Sequence, residues 1–275
     1  MSPLILGREF YFPSEMEDLK ITIIQTTLYW ENAAANRQLF EKHFAAIQEP
    51  TDIIVLPEMF TTGFTMHASA NAETMDGETI DWLREWSKKK NSVITGSIIV
   101  KEHEKYFNRL IWMKPDGNFL AYDKRHLFRL SGEEEVFSAA NKKLFIEIKD
   151  WKILPLICYD LRFPVWSRRT AEENYDVLIY VANWPERRIS AWKHLLPARA
   201  IENQSYVVGV NRVGKDGNGV EHRGESAVID FRGEKINKPG ANAETVETIS
   251  LSYPALENFR STHPFHLDAD EFELK

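Results

Sequence analysis

Cysteine occurs once in the chain, at Cys158. It closes the apolar run Ile153-Leu-Pro-Leu-Ile157 and is followed by Tyr-Asp-Leu-Arg-Phe-Pro164, a polar, turn-forming stretch. A lone cysteine is ordinarily a small core hydrophobe. At a strand-to-helix corner its chemistry differs, because a helix amino terminus and a nearby lysine both favour the thiolate. Three other segments carry residues suited to a pocket. Glu58 follows the buried-type run Asp52-Ile-Ile-Val-Leu56 and Pro57, as a solvated loop residue or as a base with a raised pKa. Lys124 follows Phe119–Asp123 and could oppose a developing oxyanion as a fixed cation. Gly132 opens a run of three carboxylates, Glu133, Glu134 and Glu135. Three of the four segments follow a buried-type strand, where open α/β folds place their ligands.

Other chemistries find no support. There is no Gly-x-Ser-x-Gly, no phosphate-cradling glycine loop and no His-Glu-x-x-His. The 8 histidines lack metal-ligand spacing, and His126, two residues beyond Lys124, has no paired Cys or His. No metal or cofactor is therefore expected. With 34 Lys+Arg against 41 Asp+Glu the net charge is −7, and the pairs Arg168-Arg169 and Arg187-Arg188 are too small for a nucleic-acid footprint. No apolar run approaches the roughly 18 residues of a membrane span, and no signal-peptide pattern opens the chain. A single cysteine cannot form an internal disulfide, which fits a reducing, cytoplasmic setting. Apolar residues at 43% and aromatics at 12% supply a core, so the expectation is a soluble globular protein.

The elements that must position these residues follow from periodicity. Residues 1–18 show none and read as an extension or flexible arm ahead of the strand Leu19–Gln25. Ala33, Phe40, Phe44 and Ile47 share a helical face, and a second helix runs near Thr79–Lys89, burying Ile80, Leu83 and Trp86. Strands are expected at Asp52–Leu56, Val93–Val100, Phe107–Lys114 and Phe119–Asp123, the last two joined by a Pro115-Asp-Gly117 turn. Leu144–Lys149 and Trp151–Cys158 form a pair. A helix near Val165–Glu173 leads to the strand Asp176–Asn183, and another spans Ile189–Asn203 with a kink expected at Pro197. Strands close the pattern at Ser205–Val213, Glu225–Phe231 and Thr245–Leu251, with a turn at Asp216-Gly-Asn-Gly219. From Tyr253 on no period is legible. No linker divides residues 19–275, which read as one α/β domain of two packed sheets with helices outside.

The four segments together resemble the nitrilase, or carbon–nitrogen hydrolase, superfamily. Its three signatures occur in order as Leu56-Pro-Glu58, Tyr122-Asp-Lys124-Arg-His-Leu-Phe128 and Ile157-Cys158-Tyr-Asp-Leu-Arg162. A finer similarity, to the bacterial omega-amidase branch, rests on four segments: Pro57–Phe64, Val181-Ala-Asn-Trp-Pro185, Ala198–Gln204 and Gly209–Asn218. The resemblance implies a four-layer α-β-β-α sandwich and dimers that pair further. It implies hydrolysis of the terminal amide of 2-oxo-dicarboxylic acid monoamides such as 2-oxoglutaramate and 2-oxosuccinamate. The family's catalytic residues fall on Glu58, Lys124 and Cys158, and Phe137 selects Glu133 as the second glutamate. Pro197, and Ala139-Ala-Asn141 after Phe137, depart from the family pattern.

Thiol-based amide hydrolysis needs a nucleophile, an oxyanion site, a proton carrier and an activated water. In this reading Cys158 attacks, while Lys124 and the Tyr159 backbone N–H hold the oxyanion. Glu58 moves protons, and Glu133 keeps Lys124 and the amide in register. Asn183, Trp184 and Arg188 are the expected substrate-binding residues. Arg188 would grip the far carboxylate with two parallel bonds, and Arg187 is the alternative. The competing readings are a nitrile or N-carbamoyl hydrolase, a catalytically silent binding module and a metal-dependent phosphoesterase.

Overall fold

The computed structural model describes residues 17–238, 240–270 and 272, so the expected arm lies outside the described residues except for its last two. The Glu17 carbonyl accepts from the Trp151 indole at 2.9 Å, and the Asp18 carboxylate from Ser250 Oγ at 3.1 Å.

In chain order the elements are β1 (Leu19–Gln25), α1 (Ala33–Ala46), β2 (Ile53–Val55), α2 (Ala68–Asn71), α3 (Glu78–Lys90), β3 (Val93–Glu102), β4 (Lys105–Met113) and β5 (Phe119–Asp123). Then come α4 (Glu133–Val136), β6 (Ile146–Ile148), β7 (Trp151–Ile157), β8 (Val177–Ala182), α5 (Ile189–Asn203) and β9 (Tyr206–Asn211). The last are β10 (Val213–Lys215), β11 (Glu221–Arg223), β12 (Ala227–Ile229), β13 (Thr245–Leu251) and α6 (Tyr253–Thr262). One six-stranded sheet runs β13-β1-β2-β3-β4-β5, and a five-stranded sheet runs β12-β9-β8-β7-β6. Each has three parallel strands at its heart, β1-β2-β3 and β7-β8-β9, with antiparallel strands flanking them.

Period-two alternation sorts the first sheet into two faces. Leu19, Ile21, Ile23, Ile53 and Val55 join the core shared with Ile153, Ile157, Ile179 and Val208 of the second sheet. Their neighbours Ile24, Ile54, Leu56 and Ile94 point the other way, against Phe40 and Phe44 of α1 and Ile80, Leu83 and Trp86 of α3. On the second sheet's outer face α5 lies directly on β9. A Cβ on Gly209 would come within 2.6 Å of Leu196 and 2.8 Å of Trp192, so that contact requires glycine. The result is the four-layer α-β-β-α sandwich. No helix among the described residues is long and apolar enough to cross a membrane.

Several expected elements are corrected. The helix near Val165–Glu173 does not form; a five-residue 3₁₀ turn, Cys158–Arg162, runs into irregular chain. Several of that chain's hydrogen bonds involve side chains instead. Arg169 N donates to Asn203 Oδ1 (2.9 Å), Glu173 N to Thr170 Oγ1 (3.0 Å) and the Tyr175 hydroxyl to the Ser167 carbonyl. Local partners of this kind compete directly with a helical ladder. Helix α5 continues unbroken through Pro197. The expected strand Ser205–Val213 divides at Arg212, its end forming the β10–β11 hairpin around Asp216. Helix α6 went unread because a charge sits on its buried face: Arg260 pairs with Asp176 and donates to the Gln204 and Tyr175 carbonyls, both at 2.8 Å.

Candidate active site

The central parallel strands end at one edge of the sandwich, and the sequence's candidates emerge there. Glu58 follows β2, Lys124 follows β5, Cys158 follows β7, and Asn183 follows β8. Two of the turns are made in the left-handed region by residues other than glycine, Met59 at φ 41° and Cys158 at φ 42°. Such backbone costs on the order of 1–3 kcal/mol and persists only where the surroundings impose it.

Burial and pairing decide the electrostatics. Lys124 is 1% exposed, and Glu58 and Glu133 are fully buried. The Lys124 ammonium lies 2.8 Å from Glu58 Oε1 and 2.9 and 3.0 Å from the two oxygens of Glu133. Burial would strip its proton, but Glu133 and Glu58 outweigh that and hold its pKa above the usual lysine value. Burial raises the Glu133 carboxyl, with Lys124 opposing and Glu58 adding to the rise. Asn108 of β4 donates to Glu58 Oε1 at 2.8 Å and to Glu133 Oε1 at 3.3 Å. Phe128 N meets Glu133 Oε2 at 2.6 Å, and Asn183 N meets Glu58 Oε2 at 2.9 Å. Among the three adjacent carboxylates, only Glu133 turns inward; Glu134 and Glu135 are exposed.

Cys158 is half-buried and shares a cavity of about 360 Å³ with Glu58, Lys124 and Tyr159. Burial pushes its thiol well above the usual range, the Glu58 carboxylate adds to this, and Lys124 pulls the other way. The expected α-helix amino terminus behind the thiol is absent, so the cation facing it is Lys124. The turn is instead anchored by Asp160, which is fully buried. Asp160 accepts from Ile157 N (3.0 Å), Tyr122 OH (2.8 Å) and His126 N (3.0 Å), and meets His126 Nδ1 at 2.8 Å.

The remaining expected residues also line the cavity. Trp184, 2% exposed, forms a wall, its indole donating to the Arg188 carbonyl at 2.8 Å. Asn183 is turned towards Glu58, its amide donating to the Glu58 carbonyl. The Arg188 guanidinium lies 4.6 Å over the Phe128 ring, while Arg187 is exposed. Arg162 lies 5.0 Å over the Trp184 ring. Neither Arg162 nor Arg188 has an ion-pair partner among the described residues, and burial together with Arg187 lowers the Arg188 pKa. This wall is short of an anion.

Residues 20–260 match the carbon–nitrogen hydrolase family model. The chain belongs to the carbon–nitrogen hydrolase family. Among hydrolases of this family, it is 46% identical over 261 residues to the omega-amidase YafV of Yersinia enterocolitica, covering 94% of this chain and 100% of that one. It is 32% identical to the 2-oxoglutaramate amidase of Bacillus subtilis, over 80% of this chain and 86% of that one. The crystal structure of XC1258 from Xanthomonas campestris, a carbon–nitrogen hydrolase with an arsenic adduct in its active site, superposes with a TM-score of 0.91 at 42% identity. The superposition covers 94% of this chain and 100% of that one. Against the hydrolase signatures, sequence reasoning missed Asn108, Asp160 and Arg162 as site residues. Asn108 carried a signal, a neutral polar residue entering the apolar run Leu110-Ile-Trp-Met113 of β4.

Proposed function

We propose that the protein is an omega-amidase that releases ammonia from the terminal amide of 2-oxo-dicarboxylic acid monoamides, with 2-oxoglutaramate as the type substrate. One observation carries the reading: Glu58, Cys158 and Lys124, the last held from behind by Glu133, open onto the same cavity as two unpaired guanidiniums. The first group suits the amide, the second a carboxylate at the other end. The names of the omega-amidase and 2-oxoglutaramate amidase relatives support the same substrate class.

Glu58 takes the Cys158 proton as the sulfur bonds to the amide carbon, and the carbonyl π pair moves onto oxygen. Lys124 already directs its donors at three carboxylate oxygens, so it meets the oxyanion by releasing one contact with Glu133. The Tyr159 N–H, at the start of a helical turn with no intrahelical acceptor, is the second donor. Collapse of the intermediate breaks the C–N bond; Glu58 returns the proton to nitrogen, and ammonia leaves a thioester. Water then attacks the thioester carbon and gives a proton to Glu58. Expulsion of sulfur yields the oxo acid, and the proton on Glu58 restores the thiol.

The working form is a homodimer or a larger homo-oligomer, a reading supported by exposed apolar residues such as Ile201 at 55%, Phe265 at 63% and Leu267 at 74%. The test of function is ammonia release from 2-oxoglutaramate, 2-oxosuccinamate, glutamine, asparagine, an N-carbamoyl amino acid and a small nitrile. The oxo-acid amides should be turned over fastest. Equal turnover of the nitrile or the carbamoyl compound would overturn the assignment.

A further inference from the structure

Asn108 is fully buried and lines no part of the cavity, yet it touches every member of the buried ion cluster. Its carbonyl accepts the Lys124 N–H at 3.0 Å. Its Nδ2 donates to Glu58 Oε1 at 2.8 Å and reaches Glu133 Oε1 at 3.3 Å, while its own Oδ1 has no partner among the described residues. Two carboxylate oxygens can be met only by the NH₂ end of the amide, so the chemistry of the site sets its orientation.

The two oxygens of Glu58 are therefore unlike. Oε1 receives two donors, Lys124 Nζ and Asn108 Nδ2, both at 2.8 Å. Oε2 receives the Asn183 N–H at 2.9 Å. A carboxylate oxygen has about two acceptor positions, so Oε1 is filled and Oε2 keeps one vacant. We propose that Asn108 is a positioning residue that confines proton transfer to Oε2 of Glu58, by occupying the acceptor site on Oε1 that would otherwise compete. The proposal rests on the hydrolase reading, in which Glu58 carries the proton between sulfur, nitrogen and water. The ionisable groups facing Glu58 are the Lys124 ammonium at the end of β5, Glu133 on α4 and the Cys158 thiol at the end of β7. Asn108 is the neutral donor that binds both carboxylates without adding charge.

Asn108→Leu removes the donors at similar volume and leaves the main-chain bond to Lys124 available. Losing a donor to the charged form favours the protonated carboxyl, so the acidic inflection of kcat/KM should rise by about one pH unit. At neutral pH kcat should fall at least about tenfold while KM stays within about twofold, because Asn108 does not border the substrate cavity. Asn108→Ser is the second variant, should the leucine protein fail to fold. A role in packing alone would lower kcat in step with thermal stability and leave the inflection at its wild-type pH; that result overturns the proposal. The carboxyl carbon NMR signal of Glu58, followed against pH in the resting protein, reads the same group without turnover, and its midpoint should move upward as well. If the wild-type protein releases no ammonia from any amide, the hydrolase reading fails. The carboxyl NMR titration then still decides whether Asn108 sets the proton affinity of Glu58.

Discussion

The Tyr122 hydroxyl donates to Asp160 Oδ2 at 2.8 Å, tying the strand that leads to Lys124 to the turn that presents Cys158. The two belong to different sheets, and His126 reinforces the link by bonding Asp160 and stacking on Phe163 at 3.8 Å. Spacing between cation and thiol thus depends on one buried carboxylate. Asp160→Asn replaces one acceptor oxygen by a donor facing N–H groups, and should lower kcat by more than about tenfold, with a loss of about 2 kcal/mol in stability. Tyr122→Phe leaves Asp160 and the Trp166 indole, 3.0 Å from the hydroxyl, each short of a partner. It should cost about 1–3 kcal/mol in urea unfolding. An unchanged urea midpoint in both variants would refute the link.

Cys158→Ala and Cys158→Ser should fold and release no ammonia, since a hydroxyl lacks the intrinsic nucleophilicity of the thiol at neutral pH. Lys124→Met and Glu58→Gln should each reduce kcat by about 10²–10³-fold, the scale of one oxyanion donor or one general base. With burial and Glu58 raising the thiol, a neutral alkylating agent should react slowly with the resting protein at pH 7 and faster as pH climbs. Fast alkylation that is flat across this range would contradict the assigned charge state.

Arg188→Ala should lose most of its kcat/KM on 2-oxoglutaramate, by about 10²-fold, and change little on a short neutral amide. Arg162→Ala should show the same pattern, and the exposed Arg187 a smaller loss. Equal losses on both substrates would place Arg188 in the fold or the chemistry and move carboxylate recognition elsewhere.

His222, on β11 beside the cavity, has its pKa lowered to about 4 by burial and by Arg212. Its unfolded value lies near 6.5, so between these limits the unfolded chain binds the extra proton and stability rises with pH. Unfolding free energy should therefore drop by up to about 3 kcal/mol between pH 7 and pH 4 from this residue. The contribution is complete above the unfolded value and is lost as pH falls towards the folded one. Denaturant titrations of wild type and His222→Gln should diverge in slope across that window; parallel curves would exclude it.

By itself the amino-acid sequence determined the alternation of strands and helices, the order of Glu58, Lys124 and Cys158, and their places at strand ends. Those are local properties: strands show period two, helices about 3.6, and a polar residue directly after an apolar run marks a strand's mouth. The turn at His103-Glu104 escaped because both residues adopt left-handed φ, 46° and 58°, without the usual glycine or asparagine. Tertiary structure alone decided which groups meet. Asn183 reaches Glu58 across 125 residues because the two sheets pack with their strand ends on one edge, and Asn108 reaches it across 50 because β4 lies beyond β3 from β2 in the same sheet. It likewise separated Glu133 from Glu134 and Glu135, which are alike in type and adjacent in the chain. Periodicity reports which face of an element is buried; strand order and sheet packing are set by long-range contacts that leave no local trace. The loss of the expected helix after Cys158 has the same origin. Its N–H groups found acceptors on Thr170 and Asn203, and Asn203 is brought near only by the folded chain.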